Sequence, residues 1–410
     1  MASKEFGRSL REDFFFESGY TPLNHGSYGA YPRVLQKTLH EYQEKAEAFP
    51  DRWNRLEMYP ELRKCRELLA NFLHCDADEL VFSPNASSAA STILRSFPFE
   101  QGDKILHFTT AYVNINSALK FARDHHKLEL VPIELKYPLN DDAITELVKE
   151  TLAKEKAKSG RPIRMAVFDV LSSLPGVLFP YEAVNQICQD NGIITVLDGA
   201  HSIGQVPLDL HKTDSDFFFT NCHKWLFVPR GFAVMYVAKR NQGYLHPSTI
   251  NAAYQAHSDP QDTSSFEDEF SSPGTIDHSH YFCVAAALKY RESLGGEDAI
   301  MEHNHNLAVQ GGALVADILG TQVMENDDRT LTASMVNVEL PLKKDIALSS
   351  SDIAATIIKK LVYEHHTMAS PYYNNGKWWV RLCAQVYLDL DDFKTGGEAL
   401  KTVCQELNSL

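Results

Sequence analysis

Lys224 stands in the stretch DFFFTNCHKWLFVPRG, Asp216 to Gly231, between a β-type run at Phe217 to Phe219 and the bulky Trp225, Leu226 and Phe227. Thr220, Asn221, Cys222 and His223 form a small polar cluster beside it, and Pro229-Arg230-Gly231 turns the chain back. A lysine boxed by apolar side chains loses hydration, which penalises its ammonium form and lowers its pKa. Such an amine is a good imine former. Taken alone, a lysine at a strand end reads as readily as a surface side chain with its head in water. The preceding run changes that balance. Ile193 to Leu197 is short and apolar, bounded by Gly192 and by Asp198-Gly199-Ala200-His201. That is the pattern of a buried parallel strand delivering a carboxylate at its C-terminal end. Asp198 precedes Lys224 by 26 positions.

An imine-forming lysine paired with an ionised aspartate is what pyridoxal 5'-phosphate requires, the aspartate keeping the ring nitrogen protonated. VLDGAHSIGQ together with NCHKWLF resembles the class V aminotransferase family of fold-type I enzymes. More narrowly, it resembles the isopenicillin N epimerase-like branch that contains the fungal hercynylcysteine sulfoxide lyases, over nearly the whole chain. The resemblance implies an α/β fold, a large domain with a mostly parallel seven-stranded sheet flanked by helices, and a small C-terminal α/β domain. Expected boundaries are an active-site segment at 1–32, the cofactor domain at 33–290 and the small domain at 291–410. It also implies an amino-acid substrate, a homodimer and β-elimination from a cysteine sulfoxide conjugate, with epimerisation or a loline-type cyclisation as the alternative. Cysteine desulfuration would need a cysteine on a loop before the carboxylate-binding arginine, and residues 361–380 contain none.

The elements that must position these groups follow a βα rhythm. Leu80 to Phe82 reads as a strand, and Ser83 to Ser88 opens a helix whose first-turn N–H groups make an anion site or an ordinary cap. By resemblance Ala86, Ser87 and Ser88 cradle the cofactor phosphate. Strand 104–108 ends before Tyr112, placed to stack on the cofactor ring and to give a proton to a leaving group. Strand 165–170 leads to Ser173, where the family places a polar group, usually asparagine, beside the cofactor's phenolic oxygen. His201, Asn221 and His223 are assigned to the cofactor in the same way. Leu56, Tyr59, Leu62, Leu68, Leu69 and Phe72 form an apolar helical stripe. No GxGxxG occurs, so the rhythm is not a dinucleotide fold.

Two ends of the chain complete the expected site. Leu23 to Pro32, rich in glycine, serine and proline, is a loop fit for close approach to a ligand, and the resemblance sets Asn24 and His25 near substrate. Residues 240–275 read as a mobile surface loop ending at Gly274-Thr275, which by resemblance reaches the phosphate of the neighbouring subunit. After further helices, strands are expected near 321–324, 333–340 and 378–387. In the last, Arg381 alternates with Trp379, so both face one side. Arginine's planar fork suits a substrate carboxylate. The aromatic run Tyr372, Tyr373, Trp378 and Trp379 either encloses a quaternary ammonium or packs as core or interface.

Bulk composition excludes several other classes. With 410 residues, 44% hydrophobic, the chain can bury a large core. Its 39 basic against 54 acidic residues give −15, and no basic tract marks a nucleic-acid or anionic-membrane partner. Seven singly scattered cysteines suggest neither a zinc site nor a disulfide framework and fit a reducing compartment. No apolar run reaches membrane length and the N-terminus lacks a signal-like core, so a cytoplasmic location is expected.

Overall fold

The computed structural model describes residues 5–256 and 265–410. Seven strands form the main sheet: β1 (Leu80–Ser83), β2 (Lys104–Phe108), β3 (Glu129–Ile133), β4 (Ile163–Asp169), β5 (Ile194–Asp198), β6 (Phe217–Thr220) and β7 (Ala233–Val237). Their order is β1-β7-β6-β5-β4-β2-β3. Neighbours from β3 through β6 pair in parallel, and β7 alone runs against the rest. The apolar strand sequences follow from this. β5, β6 and β7 are covered on both faces, so VLD, FFFT and AVMYV show almost no polar alternation. Helices Ala86–Ser96, Val113–His126, Asp141–Lys156 and Tyr181–Asp190 make the crossovers.

A second sheet has the order β8-β10-β9, with β8 (Met335–Glu339), β9 (Ser370–Asn374) and β10 (Lys377–Cys383). It packs with helices Gly296–Leu319, Ser350–Tyr363 and Leu390–Leu407. The expected strand at 321–324 is only an isolated bridge, Val323 to Val338. Instead β9, at the sheet edge with Pro371 in it, pairs antiparallel with β10 across the turn at Gly376. The stripe along residues 56–72 also shifts. Leu56 and Tyr59 face outward, whereas Met58, Leu62, Cys65, Leu69 and Leu73 are buried. A π-helical turn, Trp53–Glu57, precedes Met58–Leu73 and moves the periodicity out of phase.

Within the stretch read as an irregular loop, Lys239–Tyr244 is a 3-10 turn and Phe266–Ser271 a short helix. The core of that loop, 257–264, lies outside the described residues. Among the described residues, no helix is long and apolar enough to cross a membrane.

Candidate active site

Parallel strands bring their C-terminal ends to one edge, where side chains from successive loops converge. Lys224 sits there on a one-turn helix, Cys222–Trp225, directly after β6. Together with Ser27, Asn85, Ala86, Ser87, Tyr112, Asp169, Ser173, Asp198, His201, Asn221 and His223 it lines a cavity of about 160 Å³. A larger hollow, about 680 Å³, borders Phe16, Tyr20 and Tyr387, but it has neither the amine nor the aspartates.

Electrostatics support a neutral amine. Burial lowers the Lys224 pKa to about 7, helped by Arg381 and opposed by Asp198. Hydrogen-bond logic agrees. The Trp225 indole N–H can only donate, so His201 accepts at Nδ1 (3.4 Å) and carries its hydrogen on Nε2. That Nε2 lies 3.0 Å from Lys224 Nζ, which then accepts through the lone pair that only the neutral amine has. Burial, then the Lys224 and Arg381 charges, hold His201 well below its usual range. Asp198 accepts the Ala200 N–H at 2.9 Å. Burial raises its pKa to about 6, while that N–H and Lys224 pull it down.

Around the lysine the main chain is fixed from three sides. His25 donates from Nε2 to the Lys224 carbonyl at 2.7 Å and accepts at Nδ1 from the Tyr387 hydroxyl, also 2.7 Å. Burial lowers its pKa to about 4. Arg291, 1% exposed, donates to the carbonyls of Trp225 (2.7 Å) and Gly204 (3.0 Å) and is balanced by Glu297. Gly29, at φ 66°, lies so close that an added Cβ would stand 1.8 Å from the His223 carbonyl oxygen.

Asn221 accepts the Ala86 N–H at 2.9 Å, tying the lysine loop to the start of helix Ala86–Ser96. The Ser87 hydroxyl accepts from Asn114 at 3.2 Å, and its N–H belongs to the open first turn of that helix. Ser88 is instead part of the cap, its N–H and hydroxyl both donating to Asn85. Tyr112, 44% exposed, stands at the mouth. His223 donates from Nδ1 to the Phe232 carbonyl, and burial lowers its pKa to about 4.

Arg381 is buried directly behind Ser27 and Ser173. It donates to the Ser173 carbonyl (2.9 Å) and hydroxyl (3.3 Å), and to Asn24 Oδ1 and Ser27 Oγ, both at 3.0 Å. Its Nε has no partner, and no carboxylate pairs with it among the described residues. A buried guanidinium held only by neutral oxygens is a site made for an anion.

Two expected placements change, those of His25 and Trp379. His25 holds the lysine loop from behind, with both ring nitrogens occupied, and Asn24 holds the arginine. Trp379, expected to face the site with Arg381, is 4% exposed, packs in the hydrophobic core and does not line the cavity. Gly274 and Thr275, expected at the neighbouring subunit's phosphate, do not line this chain's own cavity, and Thr275 borders a hollow with Tyr42 and Trp53. Asp169 and Ser27 are lining residues that the sequence reading passed over. For Asp169 the signal was present, since VFDV ends in a carboxylate just as VLDG does.

The donor set fits pyridoxal phosphate: a neutral amine, an aspartate on the next strand, and an open helix start at Ser87. When bound, this cofactor withdraws electrons from the α-carbon of an attached amino acid.

Residues 24–358 match the family model described as Aminotransferase class-V. The chain is 32% identical to the L-cysteine desulfhydrase-like protein lolT1 of Epichloe uncinata, over 98% of this chain and 96% of that one. It is 29% identical to the hercynylcysteine sulfoxide lyase of Schizosaccharomyces pombe, over 97% and 98%. A solved structure of C-DES with glycine covalently linked to the PLP cofactor superposes with a TM-score of 0.79 at 17% identity, covering 95% of this chain and 98% of that one. From the parallel sheet to the lysine turn, sequence and structure agree: the chain belongs to the class V aminotransferase family, enzymes of fold-type I that work with pyridoxal phosphate.

Proposed function

We propose that the protein is a pyridoxal-phosphate-dependent carbon–sulfur lyase acting by β-elimination on a cysteine sulfoxide conjugate, with hercynylcysteine sulfoxide, named for one of the relatives, as the substrate. The products are a sulfenic acid, the precursor of ergothioneine, together with pyruvate and ammonia. The observation that carries the reading is Lys224, a buried amine of lowered basicity, near Asp198 and an arginine that no carboxylate neutralises among the described residues. Arg381 takes the substrate carboxylate in place of the Ser27 and Ser173 hydroxyls, a charge-assisted bidentate contact. That anchors the α-carbon over Lys224, whose neutral amine removes the α-proton. The electron pair leaves with the β-sulfur group, and the Tyr112 hydroxyl at the cavity mouth delivers the proton that group needs.

Relatives carrying desulfhydrase and sulfoxide lyase names support carbon–sulfur cleavage. All seven cysteines are buried and none lines the cavity, which disfavours a persulfide relay on this chain. The active unit is a homodimer, with Thr275 of each subunit reaching the other's phosphate site. Incubation with hercynylcysteine sulfoxide is expected to yield stoichiometric pyruvate, and cysteine much less. Exchange of the α-proton without pyruvate would move the assignment to an epimerase or cyclase.

A further inference from the structure

Asp169 ends β4 and pairs in register with Asp198 at the end of β5. Residues paired this way point to the same face of a sheet. Both aspartates line the Lys224 cavity, at 6% and 4% exposure. Two carboxylates side by side in a dry pocket do not both carry charge. Their surroundings break the tie. Asp198 receives the Ala200 N–H and faces Lys224, whereas no hydrogen-bond donor reaches the Asp169 carboxyl among the described residues. The other titratable groups around the pair are Lys224, His201, His223 and Tyr112, which line the same cavity, with Arg381 behind it and the buried Tyr137 beside Asp169.

We propose that Asp169 is a positioning residue, a carboxylic acid kept in its neutral form so that the pocket holds a single negative charge, fixed on Asp198. The neutral acid supplies a dipole beside that carboxylate where water is excluded, so Asp198 stays ionised for the cofactor's ring nitrogen. Burial and the Asp198 charge both push Asp169 well above the usual carboxylate range, in agreement. The inference concerns cofactor binding and is independent of which group the substrate loses.

Infrared difference spectroscopy of the cofactor-free protein tests it directly. At pH 7 the wild type is expected to show the carbonyl stretch of an un-ionised carboxyl, absent in Asp169→Asn. In Asp198→Asn, with the neighbouring charge removed, the same stretch should be lost at lower pH than in the wild type. Cofactor affinity should stay near wild type in Asp169→Asn, which keeps a neutral donor. In Asp169→Leu it should fall by at least about tenfold, the equivalent of one pKa unit. No such stretch at pH 7, or its persistence in Asp169→Asn, overturns the proposal. Should Asp169→Leu fail to fold, the spectra of Asp169→Asn decide alone. No substrate enters these measurements, so failure here leaves the lyase reading standing, and failure of the lyase reading leaves this one standing.

Discussion

At the scale of single residues, the chemistry turns on one amine made reactive by its surroundings. Cofactor added to the apoprotein and reduced with borohydride is expected to mark Lys224 and no other lysine, and Lys224→Ala should yield no adduct by peptide mapping. Because only the neutral amine attacks, the rate of cofactor capture should rise with pH through about 7, far below the ordinary lysine value. Arg381→Ala should weaken substrate binding by roughly 1.5–3 kcal/mol, the worth of a hydrogen bond to a charged group. Titration calorimetry with the substrate carboxylate checks this, and an unchanged affinity would remove Arg381 from substrate recognition. Lys224, Asp198 and their spacing were legible in the sequence because each interrupts an apolar run. Asp169 was equally legible and was missed. Trp379 misled, since alternation tells which side a residue faces but not what lies over that side.

At the scale of elements, the one-turn helix Cys222–Trp225 is too short to hold itself and depends on its neighbours. His25 and Arg291 bind its last two carbonyls, those of Lys224 and Trp225, and Gly29 and Gly204 let two backbones approach where a methyl has no room. Gly29→Ala must therefore push the lysine turn outward. The expected result is a folded protein by circular dichroism that has lost most of its cofactor absorbance; normal cofactor content would show that the turn tolerates displacement. This arrangement was invisible in the sequence, where His25 read as part of a turn-rich loop near substrate and not as a brace for the lysine turn. The βα rhythm was visible because strand and helix periods differ so plainly. The π-turn at Trp53–Glu57 and the proline-bearing edge strand β9 escaped notice, for each departs from the period that pattern reading assumes.

At the scale of the whole molecule, the protein should be acid-sensitive. His25 and His223 have folded pKa values near 4 against an ordinary 6.5, and burial holds His201 well below that ordinary value too. Between those values the unfolded chain binds protons that the folded one refuses, so stability falls as pH drops from about 6.5 toward 4. Raised Asp169 and Asp198 act in the opposite direction, so the clean measurement is a comparison: the melting temperature of His25→Gln should fall less on acidification than that of wild type. The expected homodimer should bury more than the roughly 1,600 Å² of a standard interface. Sedimentation showing a fully active monomer would exclude it. One long-range tie carries a consequence for how the enzyme is made. His25 bridges Lys224 and Tyr387, partners 199 and 362 residues distant along the chain. Because burial in the complete fold is what lowers the Lys224 pKa, a chain that ends before Tyr387 is expected to leave this lysine hydrated and slower to capture the cofactor.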